Sequence, residues 1–329
     1  MANITDVDSR RVSKQATQSL NQKQSHLGDK LFHRATQAAA LLVLATLAAI
    51  IVSLIIGSWP SFKAFGFSFV WSSIWNPPNE QFGAWPAIFG TLLTSAIAML
   101  IAVPVGICIA FFLTEISPYR LRRPVSIAIE LLAGVPSIIY GIWGLFVFAP
   151  FLKVTVEPFI IDTFGQIPLI GTFFSGPPFG VGIFTAGLIL AVMVLPLVTS
   201  ISRDVFGTVP AVLKEAGYGG GCTTWEVFWK IVLPYSRVGV VGGCMLALGR
   251  ALGETMATTF VIGNSHRFPS SILSPGTTIS ASIANEFTEA DGDIYSSALI
   301  ELGLLLFVIT FIVLAIARYM LARTARKNG

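Results

Sequence analysis

The sequence predicts an all-α membrane protein that crosses a bilayer six times. Its 329 residues are 54% hydrophobic and only 12% charged, and the mean hydropathy is +0.76. A soluble domain does not tolerate so apolar a composition. Six apolar stretches are each long enough to cross roughly 30 Å of hydrocarbon. Most of the 21 lysine and arginine residues lie on alternate connections between these stretches.

The chain begins with a polar segment, residues 1–34, rich in Ser, Gln, Asn and Thr, which predicts a flexible cytoplasmic tail. The first apolar run follows at 35–57. Because this run starts late and no small-residue cleavage site follows it, we expect a retained membrane helix rather than a secretory signal. The transmembrane domain is predicted to extend over residues 35–325.

Five further spans follow from the remaining apolar runs, with bounds good to several residues. They cover residues 87–113, 125–150, 181–202, 237–262 and 296–320. Three of them contain an internal proline, at Pro104, Pro136 and Pro196. Membrane helices accept proline where neighbouring groups satisfy the freed carbonyls.

The positions of the cations predict the orientation, because Lys and Arg favour the cytoplasmic side. With the N-terminal segment inside, the outer loops contain only Lys63, Lys153 and Arg267, and Arg250 falls within a span. The other cations all lie on the inner side. Both termini are therefore predicted to be cytoplasmic, in a multi-pass membrane protein.

The cysteines and histidines indicate no site. Their spacing fits neither a disulfide framework nor a metal centre, and the histidines fit solvated loop positions. These residues are Cys108, Cys222, Cys244, His26, His33 and His266. We expect no metal and no cofactor in this chain.

The connection between spans four and five, residues 203–236, is called the coupling loop here. It reads as two short helices around a glycine hinge at Gly219–Gly221. Pro210 suits a first helical turn, and Thr223 has a capping-box spacing to Glu226. Pro234 is expected to close the second helix.

The coupling loop resembles the cytoplasmic signature of ABC importer permeases, Glu-Ala-Ala, three residues, Gly, then Ile-x-Leu-Pro. The matching residues are Glu215, Ala216, Gly221, Ile231, Leu233 and Pro234, with Gly217 in place of the second alanine. The resemblance implies the type I importer permease fold, with a coupling helix that docks in a groove of an ATPase subunit. Trp225, Val227, Phe228 and Trp229 are candidate apolar anchors. An amphipathic loop on the membrane surface is the alternative.

No phosphate-binding Gly-x-x-x-x-Gly-Lys-Ser/Thr run occurs in the sequence, so ATP hydrolysis is expected on another polypeptide. The chain itself is predicted to be a non-catalytic subunit.

Span five contains two charges, Arg250 and Glu254, four residues apart and therefore on one helical face. Each central charge costs about 2.5–3.5 kcal/mol on an insertion scale, so the pair is expected to face protein or water. Five glycines share that face, which indicates close helix approach or an opening for something small and polar. They are Gly239, Gly242, Gly243, Gly249 and Gly253.

Two stretches resemble landmarks of the phosphate-specific ABC transporter permeases, at 247–257 in span five and 132–145 in span three. The resemblance covers nearly the whole chain from span one onward. It implies a path for inorganic phosphate that includes Arg250 and Glu254. A static salt bridge between these two residues is the alternative. Two further carboxylates predicted to be buried, Glu130 and Glu301, are weaker candidates.

The same resemblance implies a location in a bacterial inner membrane, and it implies the partners. They are a second homologous permease subunit, a homodimeric ATPase that binds ATP and Mg, an external phosphate-binding protein and membrane lipid; no nucleic acid is expected. Aromatic residues in the outer loops and an acidic cluster are either interfacial and solvated or a docking surface for that binding protein. They are Trp59, Phe65, Phe67, Trp71, Trp75, Glu286, Glu289, Asp291 and Asp293.

Three other functions remain as alternatives. An importer for another oxyanion or small solute shares the same architecture. An ion-gradient-driven transporter would need no ATPase, which the coupling-loop signature disfavours. An intramembrane enzyme is disfavoured because span five offers no His, Ser-His or Cys-His arrangement beside its charges.

Overall fold

A computed structural model describes the backbone of residues 4–167 and 171–326 and the side chains of residues 28–167 and 171–319. The described chain is helical, with only an isolated antiparallel bridge between Asn76 and Gln81. The α-helices are α1 (Ile4–Phe65), α2 (Ser68–Trp71), α3 (Trp85–Phe111), α4 (Tyr119–Ala133), α5 (Ser137–Trp143), α6 (Ala149–Phe151), α7 (Glu157–Phe164), α8 (Ile183–Gly207), α9 (Ala211–Gly219), α10 (Thr224–Val227), α11 (Leu233–Leu252), α12 (Met256–Val261), α13 (Ile279–Glu286) and α14 (Asp293–Arg326).

Six helical runs of the described residues are long and apolar enough to cross a membrane. They are Gly28–Phe65, Trp85–Ile116, Ser137–Phe164, Ile183–Gly207, Thr224–Leu252 and Asp293–Tyr319. The predicted all-α, six-span fold class is thereby confirmed. Spans one, two, four and six contain or closely overlap the predicted ranges.

The N-terminal segment differs from the expected tail, because the backbone of α1 is already helical from Ile4. No Gly or Pro interrupts the sequence between Ile4 and Leu27, and Gln, Lys, Arg and Ala are good helix formers. Residues up to Ile56 form one compact unit and residues from Gly57 onward form a second. The expectation of flexibility for residues 1–34 concerns motion and stays a prediction.

The third span corrects the predicted range of 125–150. Helix α4 ends at Ala133, the chain bends at Gly134–Pro136, and the span itself runs from Ser137 to Phe164. Proline disfavours the α conformation in the residue before it and donates no N–H group, so the helix ends there. The apolar run was continuous across this bend, and hydropathy alone could not locate it.

The fifth span corrects both predicted bounds of 237–262. Helix formation begins at Thr224 and continues through Pro234, and α11 ends at Leu252. Pro234 therefore does not close the second helix of the coupling loop, as the sequence had suggested. That helix instead continues into the membrane span.

Four π-helical turns occur in the described residues, and in three of them the helix continues through the proline that follows, at Pro150, Pro158 and Pro234. They are Phe112–Ile116, Gly144–Phe148, Leu152–Val156 and Phe228–Val232, and each begins six residues before a proline. The residue just before each proline donates its N–H to the first carbonyl of the turn. A π turn contains one residue more than an α turn, so the residue before the proline supplies the N–H that closes it. The N–H that proline lacks is therefore not needed for this bond.

The core of the second unit is built on α3 and α8, which share the most extensive helix contact, with α11 packed across both. Small residues permit this approach. A Cβ added at Gly106 would lie 2.9 Å from Val198 Cγ1, and one at Gly187 would lie 2.7 Å from Ile97 Cγ2. The same core cluster includes Ala251 and Ala257, on either side of the break after α11.

Candidate functional site

The break between α11 and α12, residues Gly253–Thr255, is called the α11–α12 junction. Gly253 has φ −94° and ψ 2°, outside the helical region, and Thr255 has φ −111° and ψ −65°. Arg250 lies in the last turn of α11, where a cation stabilises the negative end of the helix dipole. Glu254 lies within the junction itself.

The junction contradicts the expectation that Arg250 and Glu254 share one continuous helical face. In the part of the chain that the structure describes, no ion pair joins Arg250 to Glu254 or to another carboxylate. Glu254 Oε1 instead accepts a hydrogen bond from the Ala257 N–H at 3.3 Å, in the first turn of α12. The static salt bridge considered for this pair is therefore absent. The Arg250 side chain is exposed.

The glycines of α11 serve both purposes that the sequence left open. A Cβ at Gly239 would lie 2.6 Å from Val205 Cγ1, and one at Gly243 would lie 2.6 Å from Ile201 Cγ2. The absence of a side chain at both glycines therefore allows α8 to pack closely against α11. Gly242 faces open space. The glycine face thus packs closely against α8 at two positions and leaves room at another.

The two landmark stretches, distant in sequence, meet at α5 and α12. A Cβ at Gly141 would lie 3.2 Å from both Ala257 Cα and the Met256 carbonyl oxygen. The buried Tyr140 donates a hydrogen bond to the Leu132 carbonyl at 2.8 Å. The α11–α12 junction therefore lies beside the bend just before the third span.

The two weaker carboxylate candidates differ in their surroundings. Glu130 was expected to be buried, but its side chain is 53% exposed and pairs with Arg203 at 2.9 Å. Its position near the end of α4, before the unrecognised bend and outside the third span, explains the error. Glu301 is buried beside Ser61, as expected.

Sequence reasoning missed two buried polar groups. Glu157 is 1% exposed and accepts a hydrogen bond from the Gly180 N–H at 2.9 Å. Tyr140 lay within a recognised landmark, but no role was assigned to it. A carboxylate inside an apolar run was the available signal for Glu157, and a tyrosine four residues after a proline was the signal for Tyr140.

The coupling loop folds around a glycine hinge, as predicted. Helix α9 ends at Gly219, Gly221 has φ 82°, and Thr223 and Glu226 form the expected capping box. Of the signature residues, Glu215, Ala216, Gly221 and Pro234 are exposed, and Ile231 and Leu233 are partly buried. Gly217 is buried, and a Cβ there would lie 2.6 Å from Ile231 Cδ1.

Two of the four predicted docking anchors are not available to a partner. Val227 and Phe228 are almost fully buried, and the Phe228 ring lies 4.3 Å from Phe111 within the chain's own core. Trp225 and Trp229 are about half exposed, as a docking role requires. Helix α9 adds exposed apolar side chains that the sequence analysis did not single out, at Val212, Leu213 and Tyr218.

An ion pair ties α9 to the second span. Lys214 Nζ lies 2.6 Å from Glu115 Oε1, and the Glu115 side chain is 7% exposed. Glu115 belongs to the π turn after α3. The ion pair therefore links α9 to the end of a core helix.

The loops at 66–84, 171–182 and 263–292 belong to the predicted outer face. His266 was expected to be solvated, but its ring stacks on Trp75 at 4.8 Å and contacts Glu286. Glu286 also accepts hydrogen bonds from Trp75 Nε1 at 2.8 Å and the Tyr295 hydroxyl at 2.6 Å. Burial alone would raise the pKa of Glu286, but the bonds from His266, Tyr295 and Trp75 outweigh it and lower that pKa.

The other residues of that face fall into two groups. Trp59, Phe67 and Trp71 remain exposed, as do the carboxylates Glu289, Asp291 and Asp293. Phe65 instead packs in an inner aromatic group with Phe69 and Phe82. No group of three His, Cys, Asp or Glu residues in the described part of the chain could hold a metal ion.

Six membrane-spanning helices, an exposed loop helix tied to the core and a charged helix break together define an integral-membrane permease. The model of the binding-protein-dependent transport system inner membrane components matches residues 102–326. The chain belongs to this family.

Relatives that align with nearly the whole length of this chain indicate a narrower group within the family. The chain is 62% identical over 303 residues to the phosphate transport system permease protein PstC of Mesorhizobium japonicum, covering 92% of this chain and 93% of that one. It is 54% identical over 320 residues to the PstC protein of Pasteurella multocida, covering 97% and 99%. A PstC 2 protein of Mycobacterium tuberculosis is 38% identical over 311 residues, covering 93% and 96%.

Solved structures show the same fold. The MetNI methionine ABC transporter, in an inward-facing conformation, gives a TM-score of 0.55 at 16% identity, over 76% of this chain and 99% of that one. A bacterial ABC transporter for the import of alginate gives 0.53 at 17% identity, over 86% and 95%. The described helices therefore have the architecture of ABC importer permeases.

Proposed function

We propose that this chain is the permease subunit of an ATP-driven importer and forms, with a second homologous permease, the membrane path for inorganic phosphate. An external phosphate-binding protein delivers the anion. The observation that carries the proposal is an arginine at a helix break, Arg250, that forms no ion pair with any described residue, in a chain whose relatives are phosphate transport permeases.

The chemistry of the junction suits this anion. A guanidinium offers a fixed fork of donors matched to a tetrahedral oxyanion. Glu254, four residues away, offsets part of the positive charge without pairing with it. Weak retention is an advantage, because conduction needs release as well as capture.

The energy source is assigned to a partner. A homodimeric ATPase holding ATP and Mg receives α9 in a groove, with Val212, Leu213 and Tyr218 as contacts and Trp225 and Trp229 beside them. The contact of Lys214 with Glu115 supports transmission from this helix to the second span. ATP binding and hydrolysis then switch the path between outward and inward access.

The proposed orientation places both termini and the coupling loop in the cytoplasm. The uneven distribution of lysine and arginine supports it. The binding protein then docks on the opposite face, where Trp59, Phe67 and Trp71 are exposed and the carboxylates of residues 289–293 are exposed as well.

The test is phosphate uptake by proteoliposomes that contain the whole complex, with ATP turnover followed in the same vesicles. We expect Arg250→Ala to reduce uptake at least about tenfold, the loss expected for a charge-assisted hydrogen bond. Stimulation of ATP hydrolysis by the loaded binding protein should persist. Arg250→Lys should recover part of the uptake, because it keeps the charge and loses the fork.

Arg318→Ala is the matched control, because Arg318 is also exposed and lies at the far end of α14. Uptake near the wild-type rate in Arg250→Ala would show that the arginine is structural. A wild-type complex that carries another anion and no phosphate would restrict the proposal to an importer for a different oxyanion.

A further inference from the structure

The bend just before the third span leaves a carbonyl group without its helical donor. In an uninterrupted α-helix the Leu132 carbonyl accepts a hydrogen bond from the N–H of residue 136. Residue 136 is proline, which has no N–H. The Val135 N–H reaches the same carbonyl at 3.3 Å, a short-range bond of the terminal turn. A carbonyl without its full set of donors is costly where protein shields it from water.

Tyr140 supplies the missing donor from the other side of the bend. Its hydroxyl donates to the Leu132 oxygen at 2.8 Å, and its side chain is 6% exposed. Leu132 lies in α4 and Tyr140 in α5, so the bond fixes the angle between these helices across Gly134–Pro136. No other hydrogen bond that joins a side chain of α5 to α4 occurs among the described residues.

The geometry of this bend reaches the candidate site. Tyr140 packs in the same core cluster as Ala251 and Ala257, which flank the α11–α12 junction. The next residue, Gly141, brings the α5 backbone against the first turn of α12. The Arg250 guanidinium also lies close enough to act electrostatically on the Tyr140 phenol. Rotation of α5 would therefore displace the segment that contains Glu254 and alter the surroundings of Arg250.

We propose that Tyr140 is a positioning residue for phosphate passage, whose hydroxyl holds the α4–α5 bend in the geometry that sets the α11–α12 junction. The inference rests on the proposed function. The Tyr140 hydroxyl acts through Arg250 and Glu254. Its loss should impair passage of the anion more than the ATPase cycle that drives it.

The test compares the number of phosphate ions imported per ATP hydrolysed by the reconstituted complex. We expect Tyr140→Phe to lower this ratio about fivefold, since it removes one hydrogen bond to a buried carbonyl and leaves the ring in place. ATP hydrolysis stimulated by the loaded binding protein should stay within about twofold of wild type, because α9 and its ion pair are unchanged.

Thr199→Val is the matched control. Thr199 is buried, and its hydroxyl donates to the Leu195 carbonyl at 2.9 Å within the uninterrupted helix α8. This variant should keep the wild-type ratio. An equal fall in the phosphate-to-ATP ratio in both variants would show that losing any buried hydrogen bond has this effect. That result would overturn the proposal.

A double variant distinguishes two roles of the Tyr140 hydroxyl, fixing the α4–α5 bend and supplying a donor to the Leu132 carbonyl. It does so even where Tyr140→Phe alone assembles poorly. Pro136→Ala restores a backbone donor four residues after Leu132. With Tyr140→Phe, it should recover assembly and the thermal midpoint but leave the phosphate-to-ATP ratio low, because the bend is no longer fixed. Recovery of the ratio in this double variant would overturn the positioning role.

The outcomes distinguish this inference from the function on which it rests. A wild-type complex that imports no phosphate overturns both. Normal import by wild type with an unchanged ratio in Tyr140→Phe overturns the positioning role alone.

Discussion

At the residue scale, Glu254 has two separable properties. Its Oε1 accepts the Ala257 N–H, one of the amides that a helix N-terminus leaves without an intrahelical partner. Its negative charge lies near Arg250 without forming an ion pair. The sequence located both residues, but not their relation, because the four-residue spacing assumes a continuous helix and Gly253 ends it. Glycine tolerates such a helix end at little steric cost.

Two substitutions distinguish the capping role of the Glu254 side chain from the role of its charge. Glu254→Gln keeps a side-chain oxygen for the Ala257 amide, so we expect its unfolding free energy to change little. Glu254→Ala removes the acceptor and should cost about 1 kcal/mol. Thermal unfolding of the purified complex measures the difference. Equal midpoints for the two variants would show that the 3.3 Å contact does not stabilise α12.

Glu286 is the residue whose ionisation the structure ties most clearly to stability outside the membrane spans. Burial opposes its charge, and hydrogen bonds from His266, Tyr295 and Trp75 more than compensate, so its pKa is lowered. The folded state therefore binds this proton less readily than the unfolded chain does. The stabilisation is complete above the unfolded pKa of about 4.3 and is lost as the pH falls through the folded pKa.

Glu286→Gln should accordingly lower the thermal midpoint at pH 6, by the equivalent of about 2 kcal/mol for hydrogen bonds to a charged group. The gap from wild type should narrow as the pH is lowered below about 4.3. Glu289→Gln, at an exposed carboxylate three residues further on, is the control and should leave the midpoint unchanged. A gap that widens towards acid would contradict the direction of the pKa shift.

At the element scale, the helical runs and their breaks differ in how far the sequence determines them. Apolar runs located all six spans, because length and hydropathy suffice for that. The positions of the prolines did not predict where helices end. Pro136 ends a helix, whereas Pro150, Pro158 and Pro234 follow π turns and do not. Pro104 and Pro196 lie inside α-helices without a π turn, so a proline alone does not predict one.

The end of α9 offers a pair of glycine substitutions with opposite expected effects. Gly221 has φ 82° with open space around it, so Gly221→Ala costs backbone strain of about 1–2 kcal/mol. Gly219 is helical and equally unobstructed, so Gly219→Ala should stabilise α9 by about 0.5–1 kcal/mol. Amide hydrogen exchange of residues 211–219 should be faster in the first variant and slower in the second. The same direction of change in both would contradict the hinge assignment.

At the scale of the whole molecule, the permease brings two distant stretches into one site. Residues 132–145 and 247–257 were recognised separately, and only the tertiary structure places α5 against α12. Spacing within a sequence cannot predict such a contact. The chain also leaves large apolar side chains exposed on every span, and lipid and the second permease are expected to cover them.

The orientation of the whole chain in the membrane is tested by labelling single cysteines. In a variant with Cys108, Cys222 and Cys244 replaced by alanine, Ser175→Cys is exposed on the predicted outer face and Thr208→Cys is exposed within the coupling loop. A membrane-impermeant maleimide should label Ser175→Cys in spheroplasts and Thr208→Cys only in inverted vesicles. The reason is the charge asymmetry, since nearly all the cations share the side of Thr208.

The control for this experiment is each variant in detergent, where both cysteines should react because both positions are exposed. Labelling of Thr208→Cys in spheroplasts and of Ser175→Cys in inverted vesicles would reverse the orientation. The coupling loop would then face away from any cytoplasmic ATPase, and ATP-driven import through this chain would be ruled out. The topology measurement thus tests the geometric condition on which the proposed energy source depends.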